Sequence, residues 1–485
     1  MSTAPRIAPA TQPYPPGPSF LSRLLSGRAF RSNSAQYMLE CAQTYGDLVH
    51  FKAFNRHIYQ LNHPALIEDF FLKDAARHHR GIVMQRARFV LGNGLLTSEE
   101  PLHMRQRRLA QPAFHRRRIA VYADTIGHQA VAMSRRWAGR PAFRAGAATP
   151  LDLHEEMLAI ALRIVGTCLF DLDVESAADV RTISLAVDAF MGFLPLAILP
   201  FSSQIQRLPL PAMRRIRKGS AQLDDLIYTM IRNRRAEQSE FSGASDPPLR
   251  SDLLSMLMEA TDPEAAPGES ASMSDRQLRD ECLTILLAGH ETTANGLSFA
   301  LALLARHPEI QAAVSAEARA VLGDRTPTAA DYPRLPYTTQ VFAESLRLYP
   351  PVWVTARTVT PSPALSQPYQ IAGFTIPPGA ILIASQFVVH HDPRFYPDPL
   401  RFDPSRFTDA NKATRPRYAY FPFAGGSRQC IGEGLAWMEG VFVLAVIARD
   451  WRLTLPPGAS PEIDSIPSIT LRPKQAVLLN LEPLS

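Results

Sequence analysis

The stretch Phe423-Ala-Gly-Gly-Ser-Arg428-Gln-Cys430-Ile-Gly432 decides how the rest of the chain is read. It offers one cysteine in a setting suited to a metal. A thiolate ligand needs an ionised sulfur, shielded from water, on backbone that can approach closely, and Gly425 and Gly426 permit such a turn. The apolar run after it (Leu435, Ala436, Met438, Phe442, Val443, Val446) predicts a helix starting near Gly432, and a helix N-terminus favours a thiolate. Phe423 is placed to pack beside the sulfur, and Arg428, two residues before it, brings a guanidinium suited to carboxylates. Cys430 is therefore the expected metal ligand.

This loop resembles the cysteine-ligand loop of the cytochrome P-450 superfamily, Phe-x-x-Gly-x-Arg-x-Cys-x-Gly, with every fixed position present. Five fixed positions match by chance in a chain this long on the order of one time in ten thousand. The resemblance implies haem b as cofactor, Cys430 as its axial thiolate, Arg428 on a haem propionate, and Phe423 and Gly432 as further parts of the haem-binding loop.

A length of 485 residues suggests about three domains on length alone. No linker divides the chain into self-contained halves, so one domain over residues 19–485 is expected, preceded by a flexible Pro-rich segment, 1–18. That segment lacks the apolar core of a signal peptide or membrane anchor, so no transmembrane anchor is expected. With 46% hydrophobic and 20% charged residues the composition is that of a soluble globular protein. Cys41, Cys168, Cys282 and Cys430 show no repeated spacing, which argues against a disulfide framework or zinc ribbon and for a cytoplasmic setting. The net charge of +6 is modest, but arginines gather between Arg105 and Arg118. They form either a basic face for an acidic redox partner or an ordinary solvated surface with propionate ligands. No aromatic-interleaved basic motif points to nucleic acid.

Along the chain, Ser34–Thr44 reads as a helix, Leu48–Phe54 with His57–Leu61 as a hairpin, and Pro64–Leu72 as a second helix. Arg77–Glu100 reads as a loop, which the resemblance places over the distal haem face. His103 and Arg107 share a helix face; the resemblance makes both propionate ligands. At least two helices follow between Arg116 and Phe170, and another spans about Pro211 to Gln238. The apolar stretch Ala186–Phe201, with Phe190 and Phe193, is broken by prolines and too short to span a bilayer; the resemblance places it in a lid over the substrate channel, with ordinary core packing and dipping into a membrane surface as the alternatives.

Ser274 and Gln277 predict a capping box opening a helix that runs to about His307. In its middle stands Ala288-Gly289-His290-Glu291-Thr292-Thr293, poor helix-forming residues whose local cost points to function. By resemblance, Gly289 leaves room for dioxygen, Thr292 hydrogen-bonds it, Glu291 relays protons, and Ala288 lines the pocket. This acid–Thr pair favours a dioxygen-using monooxygenase over peroxide-using relatives.

Glu344-Ser-Leu-Arg347 puts two charges on one helix face. With Arg406 it resembles the family's buried structural triad. Val352–Arg357 resembles the strand that lines the pocket, with Val354 and Thr355 as substrate contacts and Arg357 as a propionate ligand. Tyr369–Phe374 and Ile381–Phe387 read as strands. Ile466–Pro473 resembles a terminal hairpin whose tip enters the pocket, with Ile466 and Pro467 as contacts.

Together these motifs imply a mainly α, triangular-prism P-450 fold with a small β-sheet region. The implied activity is insertion of one oxygen atom from dioxygen into a small apolar substrate, a terpenoid or similar hydrocarbon skeleton being favoured over a fatty acyl chain. Electrons come from NAD(P)H through a ferredoxin or flavodoxin and its reductase, since no flavin or nucleotide fingerprint is present. A monomer is expected. Two rivals remain: a haem-thiolate lyase or isomerase needing no reductant, and a non-catalytic haem sensor.

Overall fold

A computed structural model describes residues 13–19, 33–53, 55–73, 75–140, 150–171, 210–240, 252–265, 270–360, 368–460 and 462–484, and the single positions 5, 204, 206, 208 and 268. The expected lid stretch 186–201 lies outside the described residues. In chain order the elements are α1 Ser34–Tyr45, β1 Leu48–Ala53, β2 Arg56–Leu61, α2 Pro64–Glu68, β3 His78–His79, α3 Ile82–Leu91, α4 Leu102–Ala110 and α5 Arg116–Ala138. Next come β4 Pro150–Asp152, α6 Leu153–Phe170, α7 Pro211–Glu240, α8 Leu253–Glu259, α9 Asp275–Leu304, α10 Pro308–Leu322 and α11 Pro336–Leu348. The remainder is β5 Thr355–Val359, β6 Gln370–Ile371, β7 Phe374–Thr375, β8 Ile381–Ala384, α12 Gln386–His390, α13 Asp409–Ala413, α14 Glu433–Asp450, β9 Trp451–Thr454, β10 Ser465–Pro467, β11 Leu471–Pro473 and β12 Leu478–Pro483.

The helix α9 is the axis of the molecule. Ser274 accepts from Gln277 N–H at 3.3 Å while the Gln277 side chain accepts from Ser274 N–H at 3.2 Å, so the capping box forms. Its 30 residues span about 45 Å. It packs along α6 and touches α7, α11 and α14. Neighbours cover nearly all of it, so its polar residues Arg279, Asp280, Glu281, His290, Glu291 and Asn295 are buried along with the apolar ones. α14 behaves the same way, with Val441 to Ala448 buried. Each large apolar side chain so buried contributes about 2 kcal/mol, enough for a dozen of them to fix how these helices pack.

A second apolar cluster sits under a five-stranded sheet ordered β1-β2-β8-β5-β3. β1 and β2 form the expected hairpin, Leu48 opposite Leu61, and β2 runs parallel to β8. A three-stranded sheet, β4-β12-β9, ties the C-terminus to the start of α6.

Three expectations need correction. The strand expected over Tyr369–Phe374 is a small hairpin, β6 pairing with β7 across a turn where Ala372 and Gly373 take positive φ. The segment Arg77–Glu100 is no simple loop: it contains β3, which pairs with β5, and α3, bounded by Gly81 and Gly92. The helix is too short for its buried residues, Ala87, Val90 and Leu91, to stand out as a periodic stripe. The strand expected over Ile381–Phe387 stops at Ala384, because the Ser385 hydroxyl accepts from Val388 N–H at 3.2 Å and caps α12. No described helix is long and apolar enough to cross a membrane.

Candidate functional site

The loop around Cys430 is closed by its own backbone. Cys430 N–H donates to Phe423 O at 3.0 Å, and Gln429 N–H to Gly426 O at 3.1 Å. Gly426 adopts φ +70°, and a Cβ there would fall 2.2 Å from Phe71 O, so only glycine serves at this turn. Phe423 packs on Trp437, ring centroids 5.8 Å apart. α14 begins at Glu433, as the apolar run predicts. Cys430 is open by accessible area yet surrounded by protein on a wider scale; a thiol facing a cleft inside the molecule satisfies both. Burial pushes it up to about 11, while the Gly432 N–H bonded to it and nearby Arg107 act in the opposite direction.

Beside this loop lies a cavity of about 230 Å³ walled by Phe71, His78, Arg80, Glu100, Arg357 and Arg428 among others. Three guanidiniums meet here. Burial first, then Arg357 and Arg428, pull Arg80 well below its ordinary value, and its Nε is buried without a hydrogen-bond partner. Arg357 is lowered to about 10 by burial and by Arg428. Arg428 donates to Ser98 O at 2.7 Å and lies 3.3 Å from Glu99 and 3.7 Å from Glu100. His103 is buried, bonds Glu100 at 2.9 Å, and is held at about 4 by burial and Arg428, hence neutral at pH 7. Arg107, on the same face of α4, turns instead to the cysteine loop, donating to Gln429 O at 2.8 Å. Arg80 has no signal in the sequence, for it sits between two short elements with no spacing pattern of its own.

On α9, everything past the first turn is buried except Ala288, Gly289 and Thr292. The opening lies within the helix-breaking stretch noted in the sequence. Thr292 Oγ1 donates to Ala288 O at 2.6 Å, its own helix backbone. A Cβ on Gly289 would come 2.9 Å from Val165 Cγ2, so the absent side chain also serves close packing on α6. Glu291 is buried and accepts from Thr470 Oγ1 at 2.8 Å.

The other expected contacts divide. Ile466 and Pro467 are half-buried on β10, next to the turn that carries Thr470. Val354 packs against the cluster of Trp353, Phe299 and Leu471. Thr355 is buried, and its hydroxyl accepts from Gln386 at 3.0 Å. The structural triad forms: Arg347 donates to Glu344 at 2.6 and 2.8 Å, and Arg406 Nε lies 3.4 Å from Glu344. Of the basic stretch, Arg105 and Arg108 pair with Asp262, while Arg116 and Arg117 are exposed at the start of α5.

The family model for cytochrome P450 matches residues 12–480. The chain belongs to the cytochrome P450 family. Cyclooctatin synthase of Streptomyces melanosporofaciens is 37% identical over 91% of this chain and 88% of its own length. The cyclooctat-9-en-7-ol 5-monooxygenase of the same organism is 35% identical over 86% of this chain and 84% of that one. Pentalenene oxygenase of Streptomyces avermitilis is 30% identical, covering 87% and 88%. The crystal structure of the cytochrome P450DA heme domain matches at a TM-score of 0.79, with 24% identity and 98% of each chain covered, which shows the same fold.

Membership makes this P450 an oxidoreductase, a monooxygenase with a haem-thiolate cofactor. Its own residues fit that group. A thiol open to an internal cleft supplies one soft ligand, and three crowded guanidiniums with an orphaned Nε suit the two carboxylates of a haem.

Proposed function

We propose that this P450 hydroxylates a terpenoid or similar polycyclic hydrocarbon skeleton. Substrate, dioxygen, two electrons and two protons yield the alcohol and water. The electrons come from NAD(P)H through a separate ferredoxin or flavodoxin with its reductase; exposed Arg116 and Arg117 offer such an acidic carrier positive charge. The observation that carries the reading is the opening at Ala288, Gly289 and Thr292 in an otherwise buried helix, with the buried acid Glu291 beside it. The names of the three relatives favour a terpenoid over a fatty acyl chain.

Haem b, when bound, supplies dioxygen activation, with Cys430 as its thiolate ligand. The chain does the rest. Arg80, Arg357, Arg428 and His103 hold the propionates, Arg107 and Gly432 steady the cysteine loop, and Phe423 shields the sulfur. Glu291 carries protons inward from solvent, and Thr292 offers its hydroxyl at the opening. Ala288, Gly289, Val354, Ile466 and Pro467 bound the substrate space, with Thr355 behind them. The whole of 19–485 acts as one unit after a Pro-rich lead.

The test is a titration of the ferric protein with cyclooctat-9-en-7-ol, pentalenene and palmitic acid, read as the high-spin Soret shift, followed by turnover under isotopically labelled dioxygen. A saturable shift with a terpenoid, and label in its alcohol only when reductant and redox partners are present, is expected. Conversion without reductant establishes the lyase reading instead, and tight binding of palmitic acid alone overturns the substrate class.

A further inference from the structure

The hairpin of β10 and β11 ends in a turn that leans on α9. Its position is fixed from several sides: Trp353 Nε1 donates to Ser468 O at 2.9 Å, Leu471 N–H to Pro351 O at 2.8 Å, and Ser468 N–H to Thr470 O at 3.0 Å. Thr470, at the end of the turn, is 6% exposed. Its hydroxyl accepts from Asn295 Nδ2 at 3.2 Å and donates to Glu291 Oε1 at 2.8 Å. Asn295 is fully buried and stands one helical turn after Glu291, on the same face. An amide NH₂ only donates, so the hydroxyl receives from Asn295 and its single proton goes to the carboxylate. The three groups form one buried, oriented chain aimed at Glu291.

We propose that Thr470 is a positioning residue for Glu291, so that the hairpin bearing the candidate substrate contacts Ile466 and Pro467 also sets the orientation of the acid that delivers protons. This rests on the reading of Glu291 as that acid. The carboxylate precedes Thr292 in the chain, yet its side chain is held on the hairpin side of α9. A substrate that presses on the hairpin therefore moves the group on which proton delivery depends, and proton supply becomes linked to pocket occupancy. A hydroxyl bound to a carboxylate is among the stronger hydrogen bonds in a protein, and its loss removes the contact that ties the acid to the hairpin.

The test uses the full-length haem-loaded protein with a [2Fe–2S] ferredoxin, its reductase and NADPH, without organic substrate. The readouts are the rate of NADPH consumption and its solvent deuterium isotope effect. Glu291→Gln is expected to slow consumption about tenfold, and Thr470→Val, which keeps the shape and removes the hydroxyl, to slow it comparably. Both raise the isotope effect. Thr470→Ser restores the wild-type rate, and the double variant is no slower than Glu291→Gln alone. A crystal structure of Thr470→Val should show the Glu291 carboxylate displaced. Glu291→Gln at the wild-type rate overturns the proton-carrier reading itself. A slow Glu291→Gln with a fast Thr470→Val overturns only the positioning role, as does an equal loss from Thr470→Val in both backgrounds. The thiolate signature of the reduced carbon monoxide complex, retained in every variant, verifies that each is folded and loaded.

Discussion

Replacing Glu344 by Ala tests the structural triad of Glu344, Arg347 and Arg406. Arg347 and Glu344 are both fully buried, and the change removes from Arg347 two charge-assisted bonds at 2.6 and 2.8 Å. It also removes the acceptor for Asp403 N–H at 3.0 Å and the anion 3.4 Å from Arg406. Arg347 keeps three carbonyls, His390 O, Pro399 O and Arg401 O, but its Nε–H and one Nη2–H are stranded, and its charge loses the carboxylate that balanced it. A buried ion left without its partner costs about 4 kcal/mol, close to a thousandfold in the folded-to-unfolded ratio. Urea unfolding followed by circular dichroism reads this as a lower midpoint at unchanged slope. Glu344→Gln, which keeps the shape and one acceptor oxygen, should lose about half as much. Asp409→Ala, which breaks a solvent-exposed pair with Lys412, should leave the midpoint where it is. A Glu344→Ala protein unfolding at the wild-type midpoint would refute the claim that this triad locks the core.

Two further outcomes follow from the site's surroundings. Glu281 is raised from 4.5 to about 8, by burial first and by Asp280, against the bond from Leu95 N–H. The folded state therefore holds its proton more tightly than the unfolded one, and stability falls as pH rises between about 4.5 and 8, by at most ~1.4 kcal/mol per pH unit. Glu281→Gln should flatten that slope in urea midpoints taken across the window; an unchanged slope rejects the assignment. Arg80→Ala should release haem to apomyoglobin about tenfold faster than the parent, since one charge-assisted partner of a carboxylate is lost. Arg116→Ala, at an exposed position, should release it at the parental rate.

Much of the fold was legible because its signals are local. The capping box at Ser274, the apolar run after Cys430 and the alternation of the first hairpin each use residues a few positions apart, where helix and strand periods act directly. α3 went unread because its buried face comprises only three residues, and the Ser385 cap was hidden inside an apolar run. Within the candidate site, the closed turn that carries Cys430 follows from the glycines beside it, and the Glu344–Arg347 pair from its spacing. Arg107 and Gly289 were noticed from their motifs, but that Arg107 bonds Gln429 O and that a side chain at 289 would run into Val165 came only from the structure.

The sequence by itself determined the cysteine loop, the long helix with its weakened centre and the order of the motifs, because these follow from residues close enough along the chain to share a turn. Only the tertiary structure decided which groups meet. Thr470 reaches Glu291 across 179 residues, and Arg428 reaches Glu99 across 329. Arg80, Arg357 and Arg428 become one cluster, whereas Arg105 and Arg108 are taken up by Asp262. The physical reason is that hydrogen bonds and ion pairs act over a few ångströms of space with no regard for sequence separation, so their partners are chosen by how the helices pack.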